Sequence, residues 1–579
     1  MISKNLKLAL GDIMEKAMKD KIEKWLQEPF DQTTQLAIRN LLLEDPKKLE
    51  DCFSTNLSFG TGGLRALMDV GTNRLNIYTI RRTTQGLANY LKSQFQNKPI
   101  SVVIGFDSRI NSKEFAEEAA FVLIQNGISV FLIKELRPTP FISFACRHFQ
   151  ANAAIMITAS HNPKEYNGYK VYWQDGAQVV HPHDLGILAK IAELSDFSVS
   201  LSEVKGILHE VDHSLDLCYL DAIRPLQNAP AANKEKGKDL KIAYTSLHGT
   251  GITLAPKALQ DWGFSSLFFV EKQIIPDGNF PTVALPNPEY KTALEMGLEL
   301  MKNISADILL ATDPDADRLG VAVLHHGEPL ILTGNEIACI CLEYLCQNHK
   351  ISSKSAAVST IVSTSLIHAI CNFHQIEYVE VLTGFKYIGE KIHEWEKKQG
   401  APSFLFGAEE SYGYLYGTHA RDKDAIVCCC LIAEIALKLK SQGKTIADFL
   451  YEIYKTYGIF RAGQVSIECE PTQAGADIIL NIMNSLRKNP PKEILGIKII
   501  KTEDFLMENI TKLPAADVLL FRLEDGSKLV IRPSGTEQKL KVYGEVRQTS
   551  YESLKEGVLL ADTKLSNLLS EIKKELLQD

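Results

Sequence analysis

One pattern recurs three times along the chain and limits what it can fold into: a short apolar run that ends abruptly in a polar loop. AAIMITAS runs into HNP, ADILLAT into DPDAD, and SFLFGA into EES. Further β-rich and helical stretches alternate around each run. SVVIGFDSR, the helix SKEFAEEAAFVLIQNG closed by Gly127, and ISVFLIKE precede the first; LKIAYTSLHG and SSLFFVEK precede the second; SAAVSTIV and YVEVLTG precede the third. Such alternation predicts βαβ units. We therefore expect an α/β protein of three similar α/β modules with mixed, mostly parallel sheets, followed by a C-terminal α+β domain. The texture changes from about Gln464, where VSIECE, KLVIRPSGTE and KLKVYGEV alternate with helices. The implied boundaries are a helical extension over 1–50, modules over 51–232, 239–345 and 352–463, and a terminal domain over 464–579. Trp25, Leu26 and Phe30 mark the apolar side of the extension, and AANKEKGKD reads as a linker. Ligands of open α/β sheets bind beyond the carboxyl ends of strands, so the three loops are the places to look for chemistry.

Composition narrows the class. At 579 residues, 45% apolar and 23% charged, the chain suits a soluble assembly of roughly three to five domains. With 63 basic against 71 acidic residues the net charge is −8, which argues against nucleic-acid binding and leaves small anionic ligands open. No membrane association is expected: the longest apolar run, 425–433, is far below the ~20 residues of a spanning helix. Lys4, Lys7, Asp12 and Glu15 interrupt anything resembling a secretory signal. The 11 cysteines sit mostly in apolar stretches, and Cys339, Cys341 and Cys346 lack paired zinc spacing. Small buried hydrophobes in a reducing, cytoplasmic setting is the better reading.

The loops carry the chemistry. Asp313, Asp315 and Asp317 in DPDADR place three hard oxygen donors at alternate positions after an apolar strand, a pattern that converges on a divalent cation when the loop curls. An EF-hand is excluded, because its sixth position holds Arg318 and its twelfth Leu324. TASHNP sets Ser160 at a strand end beside His161, with Lys170 ten residues on as a second proton carrier. A serine there is a nucleophile only with help from a base or metal, and on these residues alone it is equally a helix cap. The G-x-S-x-G esterase elbow is absent. FGTGGLR pairs a glycine turn with Arg65, and RPSGTE gathers Arg532, Ser534, Gly535 and Thr536, an inventory suited to a dianionic phosphate. Glu409 and Ser411 in GAEES would point together if the segment is extended, as readers of adjacent hydroxyls, or would form a surface turn. Lys423 in RDKD either reaches a phosphate or faces water. GKT at 443–445 is not a P-loop, since Lys438 stands where its upstream glycine belongs. His181 and His183 read as loop residues.

In that order, FGTGGLR, TASHNP, DPDADR, GAEES and RPSGTE resemble the α-D-phosphohexomutase superfamily from about Ser54 onward. WLQEPF, the form TASHNPKEYNGYKVYW and the length resemble the long branch of bacterial phosphoglucomutases and animal phosphopentomutases. The resemblance implies that Ser160 carries a phosphoryl group and that Asp313, Asp315 and Asp317 hold one Mg²⁺ together with a phosphoserine oxygen. It places Arg65 near the reacting phosphate, His161 and Lys170 within proton-transfer reach, and Arg318 beside the metal loop. Thr383, Gly384, Glu409 and Ser411 would read the sugar with Lys423 nearby, and Arg532 to Thr536 would hold the non-reacting phosphate. The implied activity interconverts glucose 1-phosphate and glucose 6-phosphate through a sugar 1,6-bisphosphate, which also serves as priming activator. Pentose and mannose phosphates are the alternatives, although Tyr412 and Gly413 stand where phosphomannomutase-like members have Gly-His. Two readings from other classes are disfavoured. An aspartyl phosphatase wants Thr or Val where Asp317 stands, and a non-catalytic sugar-phosphate sensor would have lost the serine or an aspartate. Nothing in the sequence sets an oligomeric state.

Overall fold

The computed structural model describes residues 16–57, 60, 62–96, 98–195, 197–348, 351–352, 354–470, 473–507, 513–534 and 539–578, without the side chains of 473 and 578. Two compact units result. Of the described residues, the first holds those up to Leu217 with 248–250 and 276–286; the second holds those of 218–247, 251–275 and from Asn287 onward.

The first unit is built on strands β1 (Gly63–Leu67), β2 (Ser101–Phe106), β3 (Ser129–Ile133), β4 (Ala153–Ile157), β5 (Tyr166–Trp173) and β6 (Leu208–Val211). Their order is β1-β5-β4-β2-β3-β6. β2 pairs in parallel with β3 and β4, and β5 is antiparallel to both β4 and β1. All five residues of β4 are buried, as a central strand covered on both faces requires. The helix Ile77–Gln94 starts at an Asn76–Thr79 capping box and buries Leu87 and Leu91 against Ile104, Ile155 and Ile157. Gly127 follows helix Ser112–Gln125 with φ +77, the left-handed turn that glycine adopts without strain. The extension folds as helices Lys16–Trp25, Gln32–Glu44 and Pro46–Phe53. Trp25 is its hub, stacked on Phe30 at 4.3 Å and edge-on to Phe53, Tyr78 and Phe197, while Leu26 is partly buried.

The second unit carries three sheets. Strands β7 (Ile242–Thr245), β8 (Leu267–Phe269), β9 (Ile308–Thr312), β10 (Leu319–His325) and β11 (Glu328–Leu332) run in the order β11-β10-β9-β7-β8. Strands β12 (Ser355–Thr360), β13 (Glu377–Val381), β14 (Ser403–Glu409) and β15 (Gly413–Tyr416) run β13-β12-β14-β15. The last sheet is wholly antiparallel: β16 (Ile459–Glu468), β17 (Glu493–Ile494), β18 (Ile497–Asp504), β19 (Leu519–Leu523), β20 (Lys528–Pro533) and β21 (Lys539–Gln548), in the order β16-β21-β20-β19-β18-β17, packed on helix Leu554–Gln578.

The first three sheets share a kernel. In each, one strand pairs in parallel with two neighbours, and the second of those neighbours turns back into an antiparallel strand: β3-β2-β4-β5, β8-β7-β9-β10 and β13-β12-β14-β15. The three polar loops read from the sequence are the returns β4–β5, β9–β10 and β14–β15. Three α/β modules and a terminal α+β domain are therefore the fold.

Two local readings need correction. The stretch read as a linker forms a helix, Pro230–Lys236, followed by a 3₁₀ turn, Gly237–Asp239. Proline at its first turn favours this start, and Asn233 is buried, donating at 2.7 Å to the Glu434 carboxylate. His183 opens helix His183–Ala192 rather than lying in a loop; it stacks on Trp173 at 3.9 Å and bonds Tyr90 Oη at 2.9 Å. Among the described residues no helix is long and apolar enough to cross a membrane.

Candidate active site

The β4–β5 return presents Ser160 in a left-handed conformation, φ +51, with only 2% of its surface exposed. A non-glycine residue holds that backbone only when its surroundings fix it. Thr158 Oγ1 donates to Asp107 at 2.6 Å and accepts the Ser160 amide at 2.8 Å. Arg109 then threads the loop, donating to the carbonyls of Ser160 (2.6 Å), Asn162 (2.5 Å), Pro163 (2.8 Å) and Tyr166 (2.9 Å). Asp107 lies 3.4 Å from the Arg109 guanidinium, both side chains fully buried, and Phe280 covers the cation at 5.0 Å. Burial pushes the Asp107 carboxyl above its ordinary range, against the pull of Arg109. Ser160 Oγ lies 3.1 Å from His161 Nδ1. Arg65, on β1, reaches the same loop through Asn162 Oδ1 at 3.0 Å. Lys170 sits on β5, opposite Met156 of β4 and Gly63 of β1.

The β9–β10 return curls as the metal reading requires. Ala316 takes φ +50, and Asp313 Oδ1 accepts the amides of Asp317 (3.1 Å) and Arg318 (3.0 Å). Asp313, Asp315 and Asp317 are all buried, with one carboxylate oxygen of each within 4.8 Å of the others. Three such oxygens are able to hold a metal ion. Burial first, then Asp315 and Asp317, push the Asp313 carboxyl well above the ordinary range. Two cations flank the loop, both on Asp317: Arg318 at 3.9 Å and Lys423 at 3.2 Å. Burial works against the charge of Lys423, but Asp317, Asp422 and Glu409 hold its pKa above the usual lysine value. Lys423 therefore faces the acids rather than water. Its stem crosses Gly413, where an added Cβ would meet Lys423 Cδ at 2.1 Å. Asp424 caps the buried helix Ala425–Ser441 that follows.

The β14–β15 return ends β14 at Glu409, whose Oε1 accepts the Gly384 amide at 2.9 Å. Burial raises the Glu409 carboxyl to about 7, with Lys423 and Arg318 pulling the other way. Thr383 Oγ1 is buried and has no hydrogen-bond partner among the described residues. Glu409, Gly384 and Lys423 thus cluster. Ser411 does not share an extended segment with Glu409; it lies in the turn before β15, and Tyr412 beside it takes φ +66. Glu410 was not anticipated, yet its Oε2 accepts from Thr360 Oγ1 at 3.2 Å and Ser363 Oγ at 3.4 Å.

In the terminal domain Arg532 is on β20 and donates to Tyr543 Oη at 3.3 Å. Its Nε is buried without a hydrogen-bond partner among the described residues. Ser534 follows the strand, its amide bonded to the Lys539 carbonyl at 2.8 Å. Gly535 and Thr536 lie outside the described residues. GKT has a structural role: Thr445 and Asp448 form the capping box of helix Ile446–Tyr457.

Comparison with known proteins agrees with this layout. Family models described as phosphoglucomutase/phosphomannomutase, alpha/beta/alpha domains I, II and III, match residues 56–197, 218–327 and 333–457. A phosphoglucomutase of Staphylococcus haemolyticus is 36% identical over 526 residues, 88% of this chain and 94% of the relative. One of Staphylococcus aureus is 36% identical over 88% and 93%. Among solved structures, Paramecium parafusin, a phosphoglucomutase in an open form, has a TM-score of 0.69 at 19% identity, covering 90% of this chain and 96% of its own. A phosphoglucomutase/phosphomannomutase family protein of Burkholderia thailandensis has a TM-score of 0.64 at 17% identity, covering 90% and 96%. At such identities the structures speak for the fold, and the family matches together with the Staphylococcus relatives establish kinship. The chain belongs to the phosphoglucomutase/phosphomannomutase family of the α-D-phosphohexomutases and is an enzyme of the isomerase class that transfers phosphoryl groups.

Proposed function

We propose that this enzyme interconverts glucose 1-phosphate and glucose 6-phosphate through a phosphoserine on Ser160. The observation that carries the reading is the Ser160 loop itself: a buried serine in a left-handed turn, locked by Arg109 and Thr158, with His161 Nδ1 3.1 Å from its oxygen. Fixing a nucleophile this firmly suits phosphoryl transfer, where positioning and charge neutralisation dominate over covalent machinery.

In the first half-reaction a free sugar hydroxyl attacks phosphorus. The new P–O bond forms as the Ser160 Oγ–P bond breaks, and the hydroxyl proton passes to a base, His161 or Lys170. Ser160 then takes a phosphoryl group back from the other end of the bisphosphate, leaving the isomeric monophosphate. A sugar 1,6-bisphosphate re-primes enzyme that has lost its phosphate. Glu409, Thr383 and Gly384 read sugar hydroxyls, Arg65 and Lys423 meet the reacting phosphate, and Arg532 with Ser534 grips the other one. Asp313, Asp315 and Asp317 suit Mg²⁺ by donor type and convergence, and the ion would offset negative charge on the phosphoryl oxygens. The buried free cysteines suit the cytoplasm, where we place the reaction.

Glucose is favoured by the two Staphylococcus relatives, each named phosphoglucomutase. The test is kcat/KM measured side by side on glucose, ribose and mannose 1-phosphates, with intact mass followed in parallel. Glucose 1-phosphate should lead by at least about tenfold, and the protein should carry one phosphate that added sugar monophosphate discharges. A lead for ribose or mannose 1-phosphate would reassign the substrate, and a protein that never carries phosphate would remove the phosphoserine.

A further inference from the structure

A basic pocket opens in the first unit, and none of the described residues lining it belongs to the Ser160 loop or to β1. Its volume is about 240 Å³, more than a lone phosphate ion needs and enough for a small organic molecule. Helix Lys16–Trp25 contributes Lys21 and Lys24, one turn apart and so on one face, above the buried Trp25. Arg82, from helix Ile77–Gln94, adds a third cation. No Asp or Glu is among the described residues that line the space.

Arg82 separates this pocket from an ordinary solvated lysine face. Its Nη2 donates to the carbonyls of Ile191 (3.3 Å) and Leu194 (3.1 Å), but its Nε is buried with no hydrogen-bond partner among the described residues. Burial pulls its pKa down, and among the described residues no acid holds it up. A half-buried guanidinium with an orphaned N–H is costly, and proteins ordinarily supply a partner. Asn56 and Ser195 add neutral polar groups to the wall, while Leu194 and Phe197 give it an apolar side. About three positive charges, spare donors and a greasy flank describe the complement of one kind of ligand.

We propose that this pocket binds a small organic polyanion, a phosphorylated carboxylic acid of a few carbons. Its charged groups meet Lys21, Lys24 and Arg82, and its carbon skeleton lies against Leu194 and Phe197. The helix supplying Lys21 and Lys24 precedes the residues 56–197 matched by the first family domain, so the site draws on a part of the chain outside that domain.

Isothermal titration of the full-length protein with 3-phosphoglycerate tests the assignment, with inorganic phosphate and glucose 6-phosphate as comparators. The expected result is a single site that prefers 3-phosphoglycerate to inorganic phosphate and persists under saturating glucose 6-phosphate. Affinity should fall by about tenfold for each cation removed, in the double variant K21A/K24A and separately in R82Q. Ser160→Ala should leave this binding intact, which separates its fate from that of the phosphoserine reading. Unliganded K21A/K24A should melt with the wild type, since both lysines keep solvent contact. No measurable binding of 3-phosphoglycerate overturns the proposal. So does equal affinity for inorganic phosphate, and so does a site that glucose 6-phosphate occupies and K21A/K24A leaves unchanged.

Discussion

The Ser160 loop and the aspartate loop occupy the same place in their modules and are stabilised in opposite ways. Each follows a buried central strand, each turns into an antiparallel neighbour, and each carries a non-glycine residue near φ +50. The first has its cation built in. Arg109 satisfies four loop carbonyls while Asp107 balances its charge, so the turn is electrically complete before any ligand arrives. The second gathers three buried carboxylates, and two cations, Arg318 and Lys423, lean on Asp317. One loop is built to hold a hydroxyl still; the other concentrates negative charge that could hold a metal ion.

That contrast can be broken or sharpened by measurement. Ser160→Ala should lower mutase kcat by more than about 10⁴-fold while sugar phosphate still binds; turnover near wild type would make the first loop merely structural. Arg109→Met strips the cation from a buried pair and leaves its carbonyls and Asp107 unmatched. Urea denaturation should show a loss of about 3–5 kcal/mol, and a loss under about 1 would mean the loop holds itself. Asp315→Asn thins the charge of the second loop, so the Mg²⁺ concentration for half-maximal activity should rise by about 100-fold or more; unaltered metal dependence would count against the triad. The smallest effect concerns Glu409. Its folded carboxyl is raised from about 4.5 to about 7, so the folded state binds the proton more tightly and stability falls as pH rises across that window. Glu409→Gln should flatten a decline of up to about 3 kcal/mol between those limits, and an unaltered pH profile would place the titration elsewhere.

Much of this was legible in the residues because strand ends announce themselves. The aspartate loop could be read from three acids in alternation after ADILLAT, and the modular repeat from apolar runs ending in polar turns. Arg109 could not, since the carbonyls it binds belong to residues 160 to 166, some fifty positions away, and an arginine after a strand gives no sign of being buried. Of the two readings of Ser411 the turn is the one found, because the chain reverses immediately after Glu409, and Glu410, the acid between them, gives no sign of its contacts in the sequence. The helix Pro230–Lys236 reads as a linker in the sequence because lysine, asparagine and glycine set the composition, whereas the structure ties Asn233 to Glu434, two hundred residues on. Lys423 has two open readings in the sequence, and burial beside Asp317 removes the one in which it faces water.

The left-handed turn at position 160 also bears on which amino acids evolution could have used there. Threonine offers the same alcohol chemistry, yet its branched β-carbon crowds a positive-φ backbone that serine tolerates. Backbone shape, rather than the reactivity of the hydroxyl, thereby narrows the alphabet of side chains open to position 160.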